Sequence, residues 1–237
     1  MGFFLWDSEP SKIFVWDTPI SKVFLWDTQV RPTWWKPWAN TIAYYPLTSN
    51  TNDLKGRGTA YNLTPTWTFN YGTLASWKKY IIFDKTADAS ISNIPFNRSA
   101  YTVSAYAFFD WPINWYQKIV LECYDQLSNY RPRFFLYQQQ VLCVCSFEWH
   151  WVAYTANQRY LITTVMENNV SKEYINWNLI YSKSVGGTSS SAKLTIWGRD
   201  SNYSCNWWMS ELILENKART AQEVSDYYDL TKWSYWL

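Results

Sequence analysis

The chain has 237 residues, and its 21 lysines and arginines against 19 aspartates and glutamates are scattered without a long like-charged run. That balance excludes an electrostatic surface for nucleic acid or anionic membrane, and no stretch approaches the roughly 18 uninterrupted apolar residues of a membrane span. Four cysteines, Cys123, Cys143, Cys145 and Cys205, are too few for a disulfide-built scaffold, and with His150 as the single histidine a zinc site is not expected.

The chain opens on a tandem repeat. Lys12-Ile13-Phe14-Val15-Trp16-Asp17-Thr18-Pro19-Ile20-Ser21 is followed by Lys22-Val23-Phe24-Leu25-Trp26-Asp27-Thr28-Gln29-Val30-Arg31, and a degenerate copy precedes it at Gly2 to Ser11. Each unit reads as an apolar strand, a two-residue turn and a shorter strand. Such a segment, residues 1–31, is too small to bury a core alone. It is therefore expected to pack on the rest of the chain, on a second copy in a homo-oligomer, or on a larger assembly. The opening Met1-Gly2-Phe3-Phe4-Leu5-Trp6-Asp7 lacks the basic and apolar regions of a Sec-type signal.

Residues 32–40 hold Pro32 and Pro37 among tryptophans, which excludes regular pairing and reads as a stiff linker. From residue 41 to 237 come short runs that are alternating or rich in β-branched and aromatic residues. They are Ile42 to Leu47, Tyr101 to Phe109, Lys118 to Tyr124, Arg133 to Tyr137, Val141 to Ser146, His150 to Thr155, Leu161 to Met166, Lys172 to Ile175, Lys193 to Ile196 and Met209 to Glu215. In Tyr101-Thr102-Val103-Ser104-Ala105 polar and apolar residues take opposite faces, as in a half-buried strand. Many short strands with polar turns predict a sandwich or barrel. One helix closes the chain: Thr220-Ala221-Gln222-Glu223 has the form of a capping box, and Val224, Tyr227 and Tyr228 follow as an apolar stripe.

Enzyme chemistry finds little support in these residues. Glu211 and Glu215 share a strand face with Ile213 and form the nearest approach to a carboxylate pair. Glutamates on the solvated face of an antiparallel strand are the plainer reading. His150 has no Ser or Cys nucleophile motif beside it, and Gly56-Arg57-Gly58 lacks the lysine and the third glycine of a phosphate loop.

Five stretches together resemble the concanavalin A-like, laminin-G-like jelly rolls of bacterial and phage surface proteins. Thr41-Ile42-Ala43-Tyr44-Tyr45-Pro46-Leu47 with Asn52-Asp53-Leu54-Lys55-Gly56 looks like the first strand and its turn. Tyr101 to Tyr106 is similar to the "tisaW" strand, and Trp149 to Thr155 to the "WhhvayT" strand. Tyr174-Ile175-Asn176-Trp177-Asn178-Leu179-Ile180 is similar to the "yvNGxli" hairpin, and Met209 to Glu223 to the closing strand and "R-T-x-x-E-i" helix.

The resemblance implies an all-β, antiparallel jelly-roll β-sandwich with a short C-terminal helix, preceded by a small β-hairpin repeat. It implies a lectin-like, non-catalytic module, with loops at one end of the sandwich offering a glycan or host-surface ligand aromatic rings and Asn or Asp oxygens. The alternatives are a structural decoration or assembly subunit without a ligand and, third, a glycoside-active enzyme. Oxygen-rich loops at Asn50-Thr51-Asn52-Asp53 and Asp84 to Asp88 supply the candidate ligand-binding residues Asn52, Asp53, Asp84 and Asp88. Calcium is the one cofactor that the resemblance allows there. The N-terminal repeat resembles hairpin repeats of phage virion proteins, which points to a virion, tail-fibre or cell-surface location with a virion partner docked through residues 1–31.

Against average usage of about 7% glycine, the 7 glycines and 18 tryptophans are an anomaly. Trp6, Trp16 and Trp26 each precede Asp in the repeat, and Trp177 lies between Asn176 and Asn178, all at hairpin positions where glycine is the expected residue. UGA codons meant as glycine but read as tryptophan account for this pattern at those four positions and Trp236, and less strongly at Trp77, Trp115, Trp149 and Trp207. The competing account is a tryptophan-rich surface that stacks on carbohydrate. Mass spectrometry of the protein from its native source separates the two: glycine is expected at the five strong positions, and tryptophan at all five contradicts recoding.

Overall fold

A computed structural model describes residues 14–15, 18–19, 23–25 and 28–30, then 40–47, 50–54, 62–65, 69–73, 79–83, 89–94, 100–109, 118–125, 133–136, 141–146, 148–153, 155, 158–184, 192–196 and 207–235. The chain divides into two compact units, Met1–Ala39 and Asn40–Leu237.

The first unit contains two hairpins, β1 (Phe14–Val15) with β2 (Thr18–Pro19) and β3 (Val23–Leu25) with β4 (Thr28–Val30). Val15 pairs with Thr18 and Leu25 with Thr28. Each repeat therefore turns over the two residues between them, as the ten-residue period predicts. The degenerate copy before them lies outside the described residues.

The second unit is built from β5 (Thr41–Tyr45), β6 (Thr64–Pro65), β7 (Asn70–Thr73), β8 (Lys79–Phe83), β9 (Ala89–Ile94), β10 (Ala100–Phe109), β11 (Lys118–Asp125), β12 (Arg133–Leu136), β13 (Val141–Ser146) and β14 (Glu148–Ala153). It continues with β15 (Arg159–Glu167), β16 (Val170–Ile175), β17 (Asn178–Ser184), β18 (Ala192–Ile196), β19 (Trp207–Glu215) and the helix α1 (Ala221–Tyr235). One sheet has eight strands in the order β17-β16-β15-β10-β19-β8-β7, with β5 also paired to β19. The other has seven, in the order β14-β13-β12-β11-β18-β9-β6. All pairings within both sheets are antiparallel. The result is an antiparallel jelly-roll β-sandwich.

Register divides the eight-stranded sheet into two unlike faces. Val103 pairs with Leu214, and Ala105 with both Ile162 and Leu212. Tyr45 and Ala43 extend this layer from β5. All of these side chains are buried, and they form the apolar face that the second sheet covers. Glu173 is buried on the same face, where it accepts hydrogen bonds from Thr164 Oγ1 at 2.5 Å and Ser171 Oγ at 2.6 Å.

The opposite face carries Thr102, Ser104 and Tyr106 of β10 beside Val165, Thr163 and Leu161 of β15, and Glu215, Ile213 and Glu211 of β19. The alternation in β10 predicts a wet polar face here, and the two glutamates were read as solvated. The structure corrects both: Ser104, Glu211 and Glu215 are each 1% exposed and Thr102 is fully buried, because α1 lies over them. Alternation fixes which residues share a face, and a distant helix decides whether water reaches it.

The helix docks through polar contacts. Tyr227 donates its hydroxyl to Glu211 Oε1, and Tyr44 donates to Oε2 of the same carboxylate at 3.4 Å. Thr231 and Tyr106 share a hydroxyl–hydroxyl bond of 2.6 Å. Just before the helix, Thr102 donates to Lys217 O and accepts from Arg219 N–H. Arg219 Nε lies 2.5 Å from Glu215 Oε2, both side chains being buried, and the guanidinium sits 4.4 Å from the Tyr227 ring centre. Burial raises the Glu215 carboxyl above its ordinary value, with Arg219 opposing. An apolar patch of Val224, Val165, Tyr174 and Ala218 completes the contact. The capping box forms as the sequence predicts, with Glu223 N–H on Thr220 Oγ1 at 3.2 Å and Thr220 N–H on Glu223 Oε2 at 2.9 Å.

Two hairpin turns show what tryptophan does at a glycine position. Between β15 and β16, Asn168 and Asn169 both take positive φ, 48° and 63°, the primed geometry that matches strand twist. Between β16 and β17 only Asn176 does so, at 59°. Trp177 keeps negative φ, is 47% exposed, and tilts its indole against Tyr228 of α1 with ring centres 4.7 Å apart.

Removing half of a buried ion pair leaves the other charge unmatched, which costs about 3–5 kcal/mol, whereas an apolar replacement of both partners is often neutral. Arg219→Met is therefore expected to lower stability by about that amount in urea unfolding, and Glu215→Leu added to it restores most of the loss. Equal destabilisation by the single and double variants contradicts this account of helix docking.

Candidate functional site

The last contact of α1 on β10 among the described side chains is Thr231 on Tyr106. The next side chain of β10 on that face is Phe108. Register places Arg159 of β15 on one side of it and Trp208 of β19 on the other. A bulge at Ser210, where the pairing shifts between Tyr106 and Ala107, brings Trp208 back onto this face after Glu211. Trp208 in turn faces Ile82 of β8, so that Tyr80, two residues earlier, points the same way.

These side chains form a ladder across four strands. The rings of Tyr80 and Trp208 stack with centres 4.6 Å apart and planes 20° apart. Trp208 and Phe108 follow at 4.4 Å and 11°. The Arg159 guanidinium closes the row 5.7 Å from the Phe108 centre. Both faces of the indole are thus occupied by neighbouring rings, and the solvent-reaching part of Trp208 is its edge. Stacked rings turn the positive rim of their quadrupole outward. A shallow open hollow lies here, bounded by Tyr80, Tyr106, Phe108, Arg159, Trp208 and Ser210 among others.

Gly72 of β7 makes the outer end of the ladder possible. It pairs with Tyr80, and a Cβ on it would stand 2.2 Å from Tyr80 Cζ. The tyrosine ring therefore leans over bare backbone.

The polar chemistry of the hollow is one-sided. Arg159 is half-buried, its Nε is buried without a hydrogen-bond partner, and no carboxylate among the described residues pairs with it. Burial lowers its pKa, with Tyr80 opposing, while a guanidinium stays charged at any working pH. Arginine and the indole N–H are donors only, while the hydroxyls of Tyr80 and Ser210, which also line the hollow, both donate and accept. Tyr106 is turned inward to Thr231, and burial holds its phenol well above the ordinary value, so it stays neutral.

The loop residues singled out in the sequence lie elsewhere. Asn52 is exposed in a turn, its N–H on Asn50 Oδ1 at 2.9 Å. Asp53 Oδ1 accepts the Tyr44 N–H at 2.8 Å, and Asp53 N–H donates to Asn62 Oδ1 at 2.9 Å, so this carboxylate fixes the end of β5. Asp84 and Asp88 lie outside the described residues, as does Gly56-Arg57-Gly58. Among the described residues no group of three or more His, Cys, Asp or Glu is placed to hold a metal ion.

No family model and no curated protein matches the chain. Solved structures do share its fold. The binding domain of botulinum neurotoxin serotype D/C superposes with a TM-score of 0.60 at 13% identity, over 80% of this chain and 52% of that one. A structure of botulinum neurotoxin type C, described by its dependence on two ganglioside molecules for cell entry, gives 0.59 at 12%, over 80% and 51%. Trypanosoma rangeli sialidase gives 0.64 at 10%, over 83% and 33%. The fold is an antiparallel β-sandwich. The chain spans about half the length of the toxin domains and one third of the sialidase, and at such identities the likeness is one of fold.

The ladder's integrity rests on the missing side chain at position 72. Gly72→Val is expected to destabilise the protein by about 1–3 kcal/mol through overpacking. In a Tyr80→Ala background the same change should be neutral or stabilising, since valine suits a strand better than glycine. A double-mutant cycle with no coupling between the two positions contradicts the close approach.

Proposed function

We propose that this chain is a non-catalytic recognition module that binds a glycan in the hollow beside the aromatic ladder, and that the hairpin repeats of residues 1–31 attach it to a virion or cell surface. The supporting observation is the row of Tyr80, Trp208, Phe108 and Arg159 beside an open hollow, ending on an arginine that no carboxylate among the described residues pairs with. A surface of donors and ring edges suits a ligand rich in oxygen acceptors, and a saccharide carries them at every ring position.

The shallowness of the hollow favours binding over catalysis. Glycoside hydrolysis needs two carboxylates flanking the bond. Glu211 and Glu215, the nearest approach to such a pair in the sequence, are buried under the helix and held by Tyr227, Tyr44 and Arg219. The ganglioside dependence of the type C toxin structure supports a glycan ligand for a sandwich of this kind, although it belongs to a chain twice as long.

A glycan array probed with the full chain should show saturable binding to a subset of oligosaccharides. Trp208→Ala should weaken it by about ten-fold or more, equivalent to about 1.4 kcal/mol, while Asn52→Ala leaves it unchanged. Bound oligosaccharides should be recovered uncleaved. Binding lost on Asn52→Ala and retained by Trp208→Ala moves the site to the loops, and release of shortened sugar makes the protein an enzyme.

A further inference from the structure

The glycan reading leaves the class of sugar open, and Arg159 narrows it. A guanidinium half-withdrawn from water has lost hydration that a protein normally replaces with a carboxylate or backbone carbonyls. Arg219, on the same face of the same sheet, has that replacement in Glu215 at 2.5 Å. Arg159 has none: its flat side lies toward Phe108, its Nε is buried without a partner, and the groups beside it are an indole N–H, a phenol and ring edges.

The neighbours of Arg159 sharpen the contrast. The indole N–H can only donate, and the outward rim of stacked rings is the positive part of their quadrupole. Among the described residues that line the hollow, Arg159 is the one charge, and no carboxylate lies there. A neutral sugar would satisfy the donors singly through its hydroxyls and leave the charge of Arg159 unmatched. A carboxylate presents two coplanar acceptors that meet the guanidinium fork in a pair of charge-assisted bonds.

We infer that the ligand is an acidic glycan whose carboxylate pairs with Arg159, with the sugar ring lying along the Trp208–Phe108 ladder. This rests on the glycan reading above and adds the charge requirement. The same chemistry would serve a uronate or a sialate, which the test separates, and an acidic peptide is an outcome that overturns it.

Isothermal titration of the full chain with trigalacturonate and its methyl ester, and with sialyllactose and lactose, provides the test. At least one acidic sugar should bind about ten-fold more tightly than its neutral counterpart, the usual worth of a hydrogen-bonded charge, and which pair shows the difference names the source of the carboxylate. Arg159→Gln should abolish that preference for acid over neutral sugar, whereas Trp208→Ala should weaken acid and neutral sugar together. Equal affinity for acid and neutral forms, with Trp208→Ala still disruptive, overturns the charge requirement and leaves the glycan site standing. Affinity for a Glu-rich peptide with none for any sugar overturns both.

Discussion

A carboxylate buried beneath a helix organises this molecule. Glu211 sits mid-strand in β19, 1% exposed, and is satisfied by the hydroxyls of Tyr227 from α1 and Tyr44 from β5. Burying a carboxyl in that position is costly unless it stays hydrogen-bonded, as these hydroxyls keep it. It therefore fixes where the helix lies and ties the first strand of the sandwich to the last. The Arg219–Glu215 pair and the bonds of Thr102 to Lys217 and Arg219 do the same at the start of the helix. The helix is consequently held in one place on the sheet, and its last described contact on β10 is with Tyr106.

The site lies beyond that contact. β10 runs on past Tyr106 to Phe109, and the face there is closed by side chains. Tyr80, Trp208, Phe108 and Arg159 do this by stacking across four strands, with Gly72 giving the tyrosine room. Every residue of the ladder is partly exposed, so the layer that seals the sheet is also a surface that a ligand can reach. Structural closure and recognition come from the same side chains.

The fold was largely legible in the sequence. Alternation in Tyr101 to Phe109 and Leu161 to Met166, and the capping box at Thr220, each correspond to an element in place. The strands Asn70–Thr73, Lys79–Phe83 and Ala89–Ile94 went unread, since Asn-Tyr-Gly-Thr is polar and Lys-Tyr-Ile-Ile-Phe lacks period two. The site was far less legible. Its members come from β8, β10, β15 and β19 and are neighbours only through register, which depends on a bulge at Ser210 and on an unread strand. The usable signals were a Trp-Trp pair opening the closing strand, a Phe-Phe pair ending β10, and an arginine opening β15, none of which says which face it occupies. The glutamates of β19 misled for the complementary reason, because their cover comes from a helix after the strand has ended.

The claim that the open end of this face is where ligand binds is tested most directly by intermolecular nuclear Overhauser effects between the protein and the oligosaccharide that binds it most tightly. The account requires contacts from the sugar ring protons to the Trp208 indole, assigned by their disappearance in Trp208→Phe, together with contacts to Tyr80. Contacts confined to the turn at Asn50 to Asp53, with none from the ladder, would contradict it.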